Sequence, residues 1–176
     1  ELGYAALYGA ATDRAALGGS LAGVFLGFSG SEFGQALALS SPMGGGSVYA
    51  ATGSACSIAS GRLSYTLGLH GPCASYDTAC SAALAASHAA VCALRRSEAA
   101  VGLALGVTLV LGPGIGTSFA VAGMTSARGR SHTFDARADG YARGEACGGV
   151  SLRRGEASAD LSVHGSAVRQ DGRSAS

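Results

Sequence analysis

Apolar positions along the chain form compact runs that glycine and polar residues separate, and five of these runs predict strands. The run LAGVFLGFSG (21–30) predicts a buried strand that leads into a loop, and AVGLALGVTLVLG (100–112) predicts a long buried strand. HGPCASYDT (70–78) predicts a short strand between them. The last two runs, CGGVSLRR (147–154) and ADLSVHGSAV (159–168), predict strands that the short RGEAS turn joins as a hairpin.

Helix signals lie between the predicted strands. Apolar residues in TGSACSIASGRLSYTLGL recur at helical spacing, which predicts a helix from about Ser54 to Leu67 that ends near Gly68. The segment SAALAASHAAVCALRR (81–96) gives the strongest helix signal, because alanine has the highest helix propensity. A short helix is predicted at GTSFAVAGM (116–124). Because strands alternate with helices, the sequence predicts an α/β layered fold.

The remaining stretches predict loops. The opening twenty residues predict a helix and a loop, SSPMGGGSVYA (40–50) predicts a surface loop or a linker, and SARGRSHTFDARADGYARGEA (126–146) predicts a polar loop. The chain of 176 residues has the size of one compact domain. Its first residue, Glu1, and its loop-like end, QDGRSAS, predict that it is cut from a longer protein.

Composition and charge exclude several classes of function. Hydrophobic residues make up 48% of the chain and charged residues 13%, which predicts much interior or partner-facing surface. The formal charge of +1 argues against nucleic acid or an anionic membrane as a partner. No signal peptide opens the chain, and its longest apolar run is too short and too rich in glycine to span a bilayer. Lysine is absent, which excludes Schiff-base chemistry.

The five cysteines form no metal-type CxxC pair, and their number is odd. We therefore expect reduced thiols and an intracellular, cytoplasmic protein, with an organelle as the open alternative. Cys56, Cys92 and Cys147 lie among small apolar neighbours and are predicted to be packed.

Cys80 stands where the predicted strand at 70–78 turns into the alanine-rich helix. The positive end of a helix stabilises a thiolate, and its unpaired N–H groups can hold the oxyanion of a tetrahedral intermediate. Small neighbours leave room for a substrate at the sulfur. These features favour a nucleophile, while the structural alternative is a packed small apolar residue.

No histidine in the sequence is placed as a base for Cys80. His88 follows eight residues later on the same predicted helix, which is roughly 12 Å along the axis and beyond hydrogen-bond reach. It is therefore predicted to be a core or interface residue. His70, His132 and His164 lie in other segments, so a histidine partner would have to come from outside this chain.

Two other constellations are given structural interpretations. Acidic and basic residues interleave in the polar loop at Asp135, Arg137, Asp139, Arg143 and Glu145, and such ion pairs hold a loop more often than they bind a metal, so no metal site is predicted. The run GPGIGTS lacks the lysine of a phosphate-binding loop, which argues against a nucleotide-binding role.

Asp77, which lies three residues before Cys80, is expected to cap the helix or to anchor the turn.

A family resemblance now adds to this interpretation. YDTACSAAL (76–84) closely resembles the active-site signature of β-ketoacyl synthases, the condensing enzymes of polyketide and fatty-acid synthesis. The resemblance extends from about Gly23 to the end of the chain and is nearest to the polyketide branch. It is carried further by GRLSYTLGLHGP, GVTLVLGPG, AGMTSARGRSHTFDARADGYARGEACGGVSL and GSAVRQDGRSAS.

The resemblance implies a thiolase-like fold, an α/β/α/β/α layered arrangement of two similar halves, of which residues 1–176 form a partial domain, mostly the N-terminal half. Cys80 matches the nucleophile that takes an acyl group from the phosphopantetheine thioester of an acyl carrier protein. Decarboxylation of a malonyl-type extender and attack on the acyl-cysteine follow. Phe119 matches a residue near the acyl pocket. No tightly bound cofactor is implied, and a homodimer is expected through the strand near Cys73.

The chain departs from the family pattern at several places. The family's two histidine motifs, its lysine and its second oxyanion segment come after the point at which this chain ends, so the fragment alone is expected to be inactive. CSAAL replaces CSSSL, and the RRGEASAD turn is shorter than usual. The alternative is a catalytically silent condensing-enzyme-like partner subunit, although such subunits typically lack the cysteine. Thiolases are a third possibility, which the FDARADGYARGE segment disfavours.

Overall fold

The structure, a computed structural model, describes residues 1–10, 12–30, 32–40, 49–155, 159, 161–170 and 172–173. Most of the glycine-rich segment for which a loop or a linker was predicted, residues 41–48, lies outside the described residues, and so does most of the RGEAS turn. No helix in the part of the chain that the structure describes is long and apolar enough to cross a membrane.

Helices and strands alternate along the chain. In order they are α1 (Leu2–Gly9), α2 (Arg14–Leu17), β1 (Ala22–Gly27), α3 (Glu32–Ser40), α4 (Ala50–Gly53), α5 (Cys56–Leu67), β2 (Cys73–Tyr76), α6 (Ala82–Arg95), β3 (Val101–Thr108), α7 (Pro113–Val121) and β4 (Ala146–Leu152). The chain divides into two compact units. The first comprises Glu1–Ser29, Cys56–Val107 and Cys147–Ser176, and the second comprises Gly30–Ala55 and Thr108–Ala146.

The first unit is built on a four-stranded sheet in the order β2-β1-β3-β4. Its central strand, β1, is parallel to both β2 and β3, with Val24 opposite Cys73 and Gly27 opposite Gly106. Every residue of β1 is buried. Parallel strands that are covered on both faces are apolar throughout, which is why the sequence signals for β1 and β3 are continuous apolar runs.

Two apolar clusters cover the two faces of this sheet. Side chains alternate along β1, so that Val24 and Leu26 contribute to one cluster and Phe25 to the other. The first cluster also includes Leu7 of α1, together with Leu17, Leu69, Leu103 and Leu105. The second is made mostly by α6 and contains Ala86, Ala90, Ala93, Leu94, Ala99 and Ala104.

The backbone of α6 lies directly on the sheet because glycine occupies the strand positions beneath it. A Cβ atom added at Gly27 would come within 2.4 Å of the carbonyl of Ala82, and one at Gly106 within 2.8 Å of the Cβ of Ala83. Farther along the helix, a Cβ at Gly102 would lie 3.2 Å from the Cβ of Ala90. Small residues on both sides therefore fix the height of the first turn of α6 above the strands.

The strand predicted over residues 100–112 ends earlier than expected, at Thr108. Leu109, Val110 and Leu111 are exposed, and the amides of the last two are bonded by side-chain carboxylates instead of a neighbouring strand. Gly112 is the N-cap of α7 and Pro113 follows at its first turn, where the fixed φ of proline suits a helix start. The helix consequently begins three residues before the predicted position.

The predicted hairpin over 147–168 is wrong. Its first strand is present as β4, which lies next to β3. Residues 161–170 are exposed throughout and have no strand conformation. Their contacts are made to α6, where Arg95 donates to the carbonyl of His164 at 3.3 Å and His88 Nδ1 lies 2.9 Å from the Ser166 hydroxyl. A segment with an alternating apolar pattern forms a strand only when it pairs with a neighbouring strand of a sheet.

We expect alanine at Gly27 or at Gly106 to lower the free energy of unfolding by about 1–3 kcal/mol, because the added methyl group overlaps the first turn of α6. The measurement is chemical denaturation of the purified variants. Gly61→Ala on α5 is the matched control, since a Cβ there meets no atom within 4 Å apart from the helix backbone around it, and this change should raise stability by about 0.5–1 kcal/mol. If both strand variants were as stable as the wild type, the close contact between the strands and the first turn of α6 would be contradicted.

Candidate active site

The turn between β2 and α6 is organised by hydrogen bonds among its own residues. Asp77, which directly follows β2, accepts a hydrogen bond from the amide of Ala79 at 3.1 Å. The Ser81 hydroxyl donates to the carbonyl of Thr78 at 2.9 Å. Ala79 adopts a left-handed backbone conformation with a φ of 53°, which is unusual for a residue other than glycine and marks a tight turn. Asp77 therefore anchors the turn, one of the two roles predicted for it.

Cys80 is carried by this turn, and its side chain is exposed. Ser81 is the N-cap residue of α6, but its hydroxyl turns back toward Thr78 and gives the helix no side-chain cap. The positive end of the helix dipole therefore lies next to Cys80, and the Ser81 side chain does not cap it. Helix N-terminal amides of this kind can stabilise a thiolate or an oxyanion.

His88 is engaged elsewhere. Its Nδ1 lies 2.9 Å from the hydroxyl of Ser166, and its Nε2 lies 3.5 Å from the sulfur of Cys92, one turn farther along α6. His88 is half-buried and is therefore not a core residue, and both of its ring nitrogens are engaged by groups other than Cys80. Within the described residues, no hydrogen bond joins Cys80 to a histidine.

The other four cysteines are free thiols in different surroundings. Cys56 and Cys92 were predicted to be packed and are half-buried. Cys147 is exposed, which corrects the prediction that it is packed, since it enters β4 where that strand is still exposed. It lines an apolar cavity of about 400 Å³ together with Leu26 and Leu105. Cys73 is exposed on β2, which is an edge strand of the sheet.

The second unit contains Phe119, the predicted acyl-pocket residue, on α7. Its side chain is half-buried, and the guanidinium carbon of Arg143 lies 5.6 Å from the ring centroid, within the range of a cation–π contact. The Arg143 guanidinium in turn donates to Oε1 of Glu32 at 2.7 Å. Phe119 thus lies at the end of a chain of contacts that begins on α3.

Glu32 is the most buried acidic residue of the described chain, with 8% of its surface exposed. Its Oε2 accepts hydrogen bonds from the amides of Leu111 at 2.7 Å and Gly112 at 3.0 Å. The hydrogen bond from Arg143 lowers the pKa of this carboxyl below its ordinary value, and the two amides lower it further against the opposing effect of burial. Glu32 was not among the residues predicted for the site, although an acidic residue at the start of a helical segment is a known signal of a helix first turn.

The remaining acids of the polar loop form the ion pairs and turns that their interleaved pattern predicted. Arg137 bonds Asp135 at 2.7 Å, which lowers the pKa of that carboxyl. Asp139 accepts a hydrogen bond from Ser126 and lies 3.8 Å from Arg128. Arg143 and Glu145 differ from the expectation, because Arg143 pairs with Glu32 and Glu145 accepts a hydrogen bond from the amide of Val110. No group of three or more potential metal-binding side chains occurs in the described ranges of the chain.

The fold is similar to that of solved ketosynthase domains. The ketosynthase from module 6 of the bacillaene synthase of Bacillus subtilis 168 superimposes with a TM-score of 0.76 at 35% identity, over 86% of this chain and 25% of that chain. An oxazolomycin ketosynthase domain of Streptomyces albus gives a TM-score of 0.72 at 31% identity, over 81% and 24%. The predicted thiolase-like fold is confirmed for its N-terminal part.

The chain belongs to the β-ketoacyl synthase family, since the family profile described as "Beta-ketoacyl synthase, N-terminal domain" matches residues 1–158. It is 38% identical over 179 residues to a mycocerosic acid synthase-like polyketide synthase of Mycolicibacterium smegmatis, an alignment that covers 98% of this chain and 8% of that protein. It is 42% identical over 180 residues to a phenolphthiocerol/phthiocerol polyketide synthase of Mycobacterium tuberculosis, over 99% and 12%. The chain therefore spans a small part of the curated relatives it matches.

The lowered pKa of Glu32 predicts a pH-dependent contribution to stability. Because its pKa is below the ordinary 4.5 in the folded state, the ionised carboxylate stabilises the fold above that value, and the contribution is lost as the pH falls through the folded-state pKa. We expect the stability difference between wild type and Glu32→Gln to shrink on acidification from about pH 6 to about pH 3. Denaturant midpoints at several pH values measure it.

The control for this pH series is Glu98→Gln. Glu98 lies 4.0 Å from Arg96 in a pair whose side chains are 52% and 72% exposed, and exposed pairs of this kind contribute little to stability. The free energy of unfolding of Glu98→Gln should therefore differ little from that of the wild type. A Glu32→Gln difference that does not change between about pH 6 and about pH 3 would show that the carboxylate charge does not stabilise the fold.

Proposed function

We propose that Cys80 is the acyl-accepting nucleophile of a polyketide ketosynthase. Its thiolate attacks the carbonyl of an acyl thioester on the phosphopantetheine arm of an acyl carrier protein, and the carrier thiolate leaves and takes up a proton. A malonyl-type extender on a carrier then loses carbon dioxide. The resulting enolate carbon attacks the acyl-Cys80 carbonyl, and the cysteine thiolate is released as the β-ketoacyl product forms.

The observation that carries this proposal is the exposed Cys80 thiol on a turn that leads into α6. A thiolate is both a strong nucleophile and a reasonable leaving group, which suits a residue that is first acylated and then deacylated. The uncapped helix end supports both the thiolate and the oxyanion of the tetrahedral intermediate. The family match and the polyketide synthase relatives supply the reaction class.

We also propose the partners and the extent of the domain. Residues 1–176 form one partial ketosynthase domain, and Phe119 contacts the bound acyl chain. The partner is an acyl carrier protein, no cofactor is held tightly, and a second copy pairs through β2, whose outer edge has no neighbour in the described sheet. Free cysteines throughout support an intracellular protein.

The groups that stabilise the enolate of the extender are proposed to lie in sequence outside these residues, as the family resemblance implies. In that case the 176-residue chain alone carries out negligible condensation. A silent partner subunit, the alternative function, would not need an exposed thiol at the helix start, so the surroundings of Cys80 favour the enzyme.

The test uses the full-length protein that carries these residues, incubated with an acyl carrier thioester or with the condensing-enzyme inhibitor cerulenin. We expect mass spectrometry to locate the adduct on Cys80. Cys80→Ala should remove the adduct and lower condensation on the order of 10³-fold or more, since removal of a covalent nucleophile leaves only binding and electrostatic effects.

Cys147→Ala is the matched control, because Cys147 is also an exposed free thiol of the first unit. This variant should keep both the adduct and the condensation activity. An adduct that is confined to a cysteine other than Cys80, or one that persists in Cys80→Ala, would exclude the proposed role.

A further inference from the structure

We infer that Arg143, held by Glu32, is a positioning residue that fixes the Phe119 ring and thereby sets which acyl chains the site accepts. This inference rests on the proposed function, in which Phe119 contacts the acyl chain. It concerns contacts within the second unit alone, all of which join α3, α7 and the segment that precedes β4.

The ion pair is unusually enclosed for a loop arginine. The Arg143 side chain is 20% exposed and that of Glu32 is 6% exposed, and their hydrogen bond measures 2.7 Å. Removing two charges from water costs about as much free energy as their attraction returns, so such a pair is a poor source of net stability. The ion pair is better explained as a contact that fixes the position of the Arg143 guanidinium.

Glu32 uses its two oxygens for two different purposes. Oε1 accepts from Arg143, while Oε2 accepts from the amides of Leu111 and Gly112, which immediately precede α7. The same carboxylate therefore anchors the beginning of α7 and the guanidinium that lies beside that helix. Because Phe119 is seven residues after Gly112, it lies about two turns into the segment that Glu32 anchors.

The guanidinium lies along one face of α7. A Cβ added at Gly116 would come within 3.3 Å of Nη1 of Arg143, and the guanidinium carbon is 5.6 Å from the centroid of Phe119. Residues three apart share a helix face, so Gly116 provides the space in which Arg143 reaches the ring. A planar, charged group that is fixed at its other side by Glu32 restricts the ring to one orientation.

The consequence is a change of selectivity when the guanidinium is removed. A ring that is free to rotate presents a different wall to acyl chains of different length. One methylene group in an apolar pocket changes selectivity by about 10-fold or more, so a displaced ring should alter the ratio of acylation rates between short and long chains.

The test measures acylation of Cys80 in the full-length protein with carrier thioesters of increasing chain length. We expect Arg143→Lys, which keeps the charge but loses the planar fork, to change the ratio of long-chain to short-chain rates by about 5- to 10-fold. Phe119→Leu should change the same ratio. In the double variant, the Arg143→Lys effect on the ratio should disappear, because Arg143 acts through the ring.

Arg137→Met is the control, since Arg137 pairs with Asp135 in an exposed part of the same unit and does not contact α7 in the described contacts. Its chain-length ratio should equal that of the wild type. An Arg143→Lys ratio that equals the wild-type ratio, a uniform slowing at all lengths, or an undiminished Arg143→Lys effect in the Phe119→Leu background would each overturn the inference. Absence of any acylation of wild-type Cys80 would instead overturn the proposed function.

Discussion

Contact between the backbone of α6 and the strands beneath it determines where the candidate nucleophile lies. Gly27 and Gly106 face each other on adjacent strands, and both lie under the first turn of the helix, where Ala82 and Ala83 meet them. Two backbones at van der Waals distance leave no flexible side chain to absorb a change. The turn that carries Cys80 is therefore fixed from below by packing and from within by its own hydrogen bonds.

In the second unit, helix α7 is held by charged hydrogen bonds rather than by close packing. This helix has no fully buried residue, so apolar contacts alone hold it weakly. The Glu32 carboxylate replaces them with hydrogen bonds to the two amides before the helix and to Arg143. Charge-assisted bonds of this kind are directional, whereas apolar contacts are not. The orientation of a side chain such as Phe119 can therefore be specified where burial is incomplete.

Much of the first unit was predictable because its signals are local. The strands β1 and β3 are apolar runs that are buried on both faces, and α6 is rich in the best helix former, so their existence follows from composition over short windows. The same holds for the turn at Cys80, which lies between a strand signal and a helix signal. Local rules failed at residues 161–170, whose alternating pattern lies against α6 and forms no strand.

The second unit was much less predictable, and the reason is sequence separation. Glu32 and Arg143 are 111 residues apart. The sequence around either residue does not predict that the two side chains form an ion pair. Helix α3 was also missed, because a glycine interrupts its short apolar pattern. The residues that position Phe119 become visible only when the fold brings α3, α7 and the polar loop into contact.

The division between local and long-range information also separates two parts of the proposed chemistry. Transfer of an acyl group between two thiols needs a nucleophile and stabilisation of one oxyanion, and a strand, a turn and a helix start can supply both. Decarboxylation creates an enolate, whose charge needs further donors placed against it. In the proposed function, the turn that carries Cys80 therefore supplies the acyl-accepting part of the reaction, and condensation also needs donors for the enolate.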